Sequence, residues 1–177
     1  MRILAISGSL RAGSTNTALL LAAKLLAPES VTVEISPPLS ELPYFNPDLD
    51  NENPPESVQK FRKSINNADA LLISTPEYAH GIPGLLKNAL DWLVSDTEFE
   101  GTRIGLLYGS ASDASFAKEA LLEVLTTMSA RVVPAAIVSI AGARSKIAPD
   151  GRILDKSVEA DLRHAIEALA RDYATEA

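Results

Sequence analysis

Apolar positions in this chain alternate between short continuous runs and longer stretches of helical spacing. Residues 3–7 read as a buried strand, and 31–35, rich in β-branched side chains, as a second. Residues 70–75 form a continuous apolar run, the mark of a parallel strand buried on both faces. Further strands are predicted over 104–108 and 135–140. Between them the spacing turns helical. An Ala/Leu-rich helix follows residue 17, and 56–66 places Val58, Phe61 and Ile65 on one face. Helices are also expected over 83–94, 117–128 and 157–173, the last amphipathic. A long proline-rich loop, 37–55, carries Tyr44 and Phe45, and loops of that length in a small domain usually have work to do. Five β/α units imply an α/β three-layer sandwich around a parallel sheet, with ligands bound beyond the carboxyl ends of the strands.

Composition narrows the function. At 177 residues the chain is expected to form one domain, residues 1–177. No apolar run reaches membrane-spanning length, and the N-terminus runs directly into a strand, so a cytoplasmic protein without membrane insertion is expected. A net charge of −7 argues against nucleic acid as a partner. The absence of cysteine removes disulfides, thiol redox chemistry and Cys-ligated zinc. His80 and His164 lie far apart, and no metal site is expected. Redox chemistry, if present, must come from a cofactor.

The first strand runs into Gly8-Ser9-Leu10-Arg11-Ala12-Gly13-Ser14-Thr15-Asn16-Thr17 and then a helix. Glycines let the backbone approach an anion, and the free N–H groups of a first helical turn point at it. The spacing of Gly8 and Gly13 nearly matches a nucleoside-triphosphatase loop, but Ser14 stands where that loop needs Lys. The dinucleotide fingerprint fails at Leu10. Several hydroxyls and one cation, Arg11, suit a single terminal phosphate. An ordinary strand-to-helix turn with a Ser/Thr cap would also carry this sequence.

Two more loops have unusual composition. Thr75-Pro76-Glu77-Tyr78-Ala79-His80-Gly81-Ile82-Pro83-Gly84 follows the third strand, and Gly109-Ser110-Ala111-Ser112-Asp113 follows the fourth. Together the three loops would make a slot with a phosphate at one end and a flat heterocycle against Tyr78. Bland readings exist for neighbouring residues. His80 reads as a solvent-facing loop residue, Trp92 as packing, and Lys87 with Asp91 as an i,i+4 pair.

The stretch 8–16, Gly-Ser-Leu-Arg-x-Gly-Ser-x-Asn, and the stretch 76–92, Pro-Glu-Tyr-x-x-Gly-x-Pro-Gly-x-Leu-Lys-Asn-Ala-Leu-Asp-Trp, resemble the NADPH-dependent FMN reductase family. That family includes quinone, chromate and azo-dye reductases. The resemblance implies a flavodoxin-like fold with strand order 2-1-3-4-5, bound FMN, and NADPH or NADH as co-substrate. It implies small-molecule electron acceptors and a homodimer or homotetramer. Ser9, Arg11, Ser14, Asn16 and Thr17 would hold the phosphate. Pro76, Glu77, Tyr78 and Gly81 would contact the ring, with Gly109 and Ser110 on its far side. No catalytic side chain is implied, because the flavin carries the chemistry. Many members have Asn where this chain has Ala79. Loop 37–55 is a candidate wall over the flavin. The apolar arc of 83–94, with Leu85, Leu86, Ala89, Leu90, Trp92 and Leu93, is wide enough for part of it to face another subunit. A flavodoxin-type electron carrier and a flavin-free binding module remain alternatives.

Overall fold

The apolar runs assemble into a five-stranded parallel sheet. Its strands are β1 (Arg2–Ser7), β2 (Thr32–Ile35), β3 (Ala70–Ser74), β4 (Arg103–Ser110) and β5 (Arg131–Ala141), in the order β2-β1-β3-β4-β5. The expected α/β architecture and strand order are therefore present. This computed structural model describes residues 1–111 and 113–175. Among the described residues, no helix is long and apolar enough to cross a membrane.

Strand periodicity of two sorts side chains between two cores. Ile3 and Ala5 of β1, with Ala70 and Leu72 of β3, face α1 (Thr15–Leu26) and α6 (Lys156–Ala174). Leu4, Ile6, Leu71 and Ile73 point the other way, toward α2 (Glu56–Asn66), α3 (Gly84–Asp91) and α4 (Ser115–Thr127). β3 is buried throughout, as its unbroken run predicts. Each fully buried Leu or Ile removed from water contributes about 1.5–3 kcal/mol before entropy is counted.

Boundaries differ from the expectations where tertiary contacts decide them. α3 is shorter at both ends than 83–94. Pro83 is its N-cap, and the chain leaves the helix at Trp92, whose carbonyl accepts from Arg62 Nε at 2.8 Å. β5 starts four residues before the predicted 135: Arg131 and Val132 pair with Arg103 and Ile104, ahead of a register jump to Leu106↔Ile137. Pro134, which has no N–H to give a ladder, lies inside that bulge. A short α5 (Ala143–Lys146), absent from the sequence reading, follows β5.

Two expectations need correction. Loop 37–55 does not wall the cleft described below. Its centre is sewn to α3 instead: Asn88 Oδ1 accepts from Phe45 N–H at 2.8 Å, and both Asn88 Nδ2 and Trp92 Nε1 donate to Pro43 O. The Phe45 ring packs edge-on against Trp92 at 5.1 Å. Leu39 and Phe61 line a separate cavity of about 230 Å³ between this loop and α2. The apolar arc of α3 is likewise consumed within the chain. Leu86, Ala89, Leu90, Trp92 and Leu93 are buried, and Leu85 packs partly against the same core, so the arc supplies no spare face.

Candidate functional site

The three loops meet at the carboxyl edge of β1, β3 and β4. A cleft of about 240 Å³ there is lined by Ser9, Arg11, Ser14, Thr15, Asn16, Pro76, Glu77, Tyr78, Gly109, Ser110 and Ala111. All the expected site residues line it except Thr17 and Gly81. Ser112 of the 109–113 loop lies outside the described residues.

The glycine-containing loop after β1 ends in Ser14, the N-cap of α1, whose hydroxyl accepts from Thr17 N–H. Thr17 Oγ1 shares a 2.8 Å hydrogen bond with Ser7 Oγ, which ties the helix start to the end of β1. The Ser14 hydroxyl and Thr17 side chain are thus used internally. Asn16, which the resemblance places on the phosphate, likewise spends its side chain within the chain. Its buried carboxamide donates from Nδ2 to Gly109 O at 3.0 Å, and its Oδ1 accepts from Gly109 N–H and from Ser74 Oγ, both at 2.9 Å. It bonds to Gly109 as a neighbouring strand would, joining the start of α1 to the ends of β3 and β4 at the cleft floor. A Cβ at Gly109 would approach Leu19 Cδ1 to 2.8 Å and Asn16 Oδ1 to 3.2 Å, so this staple requires glycine.

What remains for an anion is backbone and edge. The N–H groups of Thr15 and Asn16, the first two positions of the 12-residue α1, have no partner among the described residues. Arg11 is exposed, and its guanidinium donates to Gly13 O at 3.1 Å. Gly13 itself has φ +67 with open space around it, as a turn made for close approach requires. Two free N–H groups on a helix axis, an arginine and hydroxyls fit a phosphate monoester. Thr15 lines the cleft although no motif position flags it. It occupies the unspecified place between Ser14 and Asn16.

The opposite wall is a hairpin. Tyr78 and Gly81 exchange both backbone hydrogen bonds at 3.0 Å, around Ala79 and His80 with φ +48 and +58. Gly81 closes this turn rather than lining the cleft. Tyr78 is 54% exposed. His80 stacks on Phe116 of α4, with centroids 4.1 Å apart. Glu77 is the one carboxylate on the cleft wall among the described residues, and its Oε2 accepts from Ala117 N–H at 2.9 Å. The α4 N-cap, Ala114, has no side-chain acceptor, so Glu77 caps that helix from the neighbouring loop. Lys87 and Asp91 form the i,i+4 pair on α3.

Comparison with known proteins gives concordant matches. The family model for NADPH-dependent FMN reductase matches residues 1–145. An NAD(P)H-dependent FMN reductase of Pseudomonas aeruginosa is 34% identical over 173 residues, 96% of this chain and 93% of that protein. A quinone reductase of Pseudomonas putida is 43% identical over 86 residues, covering 49% of this chain and 46% of its own length. Among solved structures, a flavoenzyme NAD(P)H:(acceptor) oxidoreductase of Paracoccus denitrificans superposes with TM-score 0.80 at 26% identity, covering 98% of this chain and 97% of that one.

Proposed function

The chain belongs to the NADPH-dependent FMN reductase family, and from that premise we propose that it holds FMN non-covalently in the cleft and reduces quinones at the expense of NADPH or NADH. FMN, held there, would supply the two-electron redox chemistry between a nicotinamide and an oxidant. The chain's own residues bind and orient. Arg11, Ser9 and the Thr15 and Asn16 N–H groups receive the phosphate. Ser14, Asn16 and Thr17 hold those donors in place. Pro76, Glu77 and Tyr78 border the ring on one side and Gly109 and Ser110 on the other, with Gly81 closing the hairpin. Glu77 is occupied as a helix cap, so we assign no proton-transferring side chain.

Acceptor choice is broad on this reading. A wall of proline, tyrosine and small residues recognises a flat face, and apolar contacts separate analogues by only about 1–3 kcal/mol. Azo dyes, chromate and free flavin join quinones as acceptors. The whole chain, 1–177, acts as one FMN-binding domain in the cytoplasm, where the reduced dinucleotides are available. Exposed Leu10, Tyr78 and Phe116, in the segments around the cleft, favour a homodimer or homotetramer.

The observation that carries this reading is the pair of unpartnered N–H groups at the start of α1 beside Arg11. Titrating the apoprotein with FMN and with riboflavin tests it, followed by anaerobic NADPH with a visible spectrum. FMN binds far more tightly than riboflavin, Arg11→Ala costs about 1.5–3 kcal/mol of FMN affinity, and NADPH bleaches the flavin. Equal affinity for the two flavins, or a spectrum that NADPH leaves unchanged, refutes it.

A further inference from the structure

The cleft does not end at Arg11. Two further hollows, of about 500 and 510 Å³, continue past it along the start of α1 toward the segment that follows β5. Arg11, Thr15 and Arg144 line both, and Arg144 is absent from the flavin cleft itself. Among the described residues no Asp or Glu stands on either wall, in a chain whose net charge is −7. Arg144 is exposed and has no ion pair among the described residues. The nearest carboxylate along the chain, Asp150, is engaged by Arg152 at 2.8 Å.

The backbone that presents Arg144 is fixed. Gly142, at φ +64, donates its N–H to Ser110 O at 2.9 Å, and Ser145 donates both its N–H and its hydroxyl to Gly142 O. Ala143 is buried between them. The backbone therefore places Arg144, which has no ion pair among the described residues, at the end of a groove that opens into the flavin cleft and carries no acid among those residues.

FMN brings one phosphate, and Arg11 with the α1 N–H groups meets it. The second cation answers to a phosphate that FMN lacks. We infer that the groove between Arg11 and Arg144 seats a phosphate of the adenylate half of the nicotinamide dinucleotide, an assignment that rests on the proposed reductase function. Guanidinium is suited to this, since its fork of donors matches phosphate oxygens and keeps its charge at any working pH.

The test compares the FMN-loaded wild type with Arg144→Gln and Arg144→Lys. Arg144→Gln raises the KM for the dinucleotide about tenfold, the scale of one charge-assisted bond at an open site. Arg144→Lys recovers part of that loss, and FMN affinity of the apoproteins stays the same. Added salt raises the wild-type KM more than that of Arg144→Gln. A rise confined to NADPH, with loss of 2′,5′-ADP binding in calorimetry, assigns the 2′-phosphate. An equal rise for NADPH and NADH, with loss of 5′-AMP binding as well, assigns the pyrophosphate region. Unchanged KM values for both dinucleotides overturn the inference. So does an Arg144→Gln loss of FMN affinity as large as its loss of dinucleotide affinity, because Arg144 would then serve the flavin phosphate. A wild type that binds no flavin refutes the reductase reading alone, and the calorimetry still reports on the groove.

Discussion

Replacing Asn16 with Ala removes the staple beneath the cleft, and its cost follows from the groups left behind. The substitution abandons the Gly109 N–H, the Gly109 carbonyl and the Ser74 hydroxyl, all in buried surroundings. Leaving one buried group unsatisfied costs about 1–3 kcal/mol. The Ser74 hydroxyl is free to rotate and the carbonyl keeps a second lone pair, so the sum settles near 3–4 kcal/mol. At this chain length that lowers the melting temperature by roughly 10 °C. Asn16→Asp preserves shape but exchanges the donor to Gly109 O for a carboxylate oxygen, so it is at least as damaging. Ser74→Ala removes one donor and leaves the Gly109 pair intact, at about 1 kcal/mol. Urea unfolding of the apoproteins measures all three, and flavin titration of the folded variants reads the accompanying loss of FMN affinity. A cost below about 1 kcal/mol for Asn16→Ala, or equality with Ser74→Ala, would show that the carboxamide does not tie α1 to β4.

Two other predictions concern stability. Ala79→Asn stabilises the protein by about 0.5–1 kcal/mol in thermal unfolding, because consecutive positive φ angles at Ala79 and His80 suit Asn far better than Ala; no gain would mean that the hairpin bears no strain. The Tyr108 hydroxyl is buried with no hydrogen-bond partner among the described residues, and burial pushes its ionisation well above the ordinary tyrosine range. Tyr108→Phe should therefore be neutral or stabilising by up to about 1 kcal/mol in urea, and a comparable loss would reveal a hydrogen bond that the phenol makes after all.

The strands and the three loops were legible because their signals are local. An unbroken apolar run such as 70–74 has no alternative in a chain of this size, and the glycine- and proline-rich loops stand at strand ends. Side-chain partners were not legible. Asn16 looks like a ligand donor until β4 brings Gly109 to it, and 93 residues of sequence separate the two. Trp92 belongs to an apolar arc wide enough to meet a second subunit until the 43–45 segment folds back on it, and Asn88, to which the sequence assigns no role of its own, holds that segment in place. The Ala79 departure reads as a missing polar contact in the sequence. The structure makes it a conformational matter, since the position is left-handed. Thr15 stood in the hydroxyl-rich loop without a specified motif position, and Arg144 carried no motif at all, so the shape of the groove alone brings Arg144 to attention.

The Asn16–Gly109 bond also sets an order of events during synthesis. The phosphate loop leaves the ribosome early, complete in sequence, yet its floor is missing. Until Gly109 has emerged and β4 has docked, Asn16 has no strand end to hold and Ser74 no fixed acceptor. A nascent chain that stops short of β4 therefore displays every residue of the first motif without a formed cleft. Cofactor capture becomes an event of the second half of translation, and truncated products are released empty.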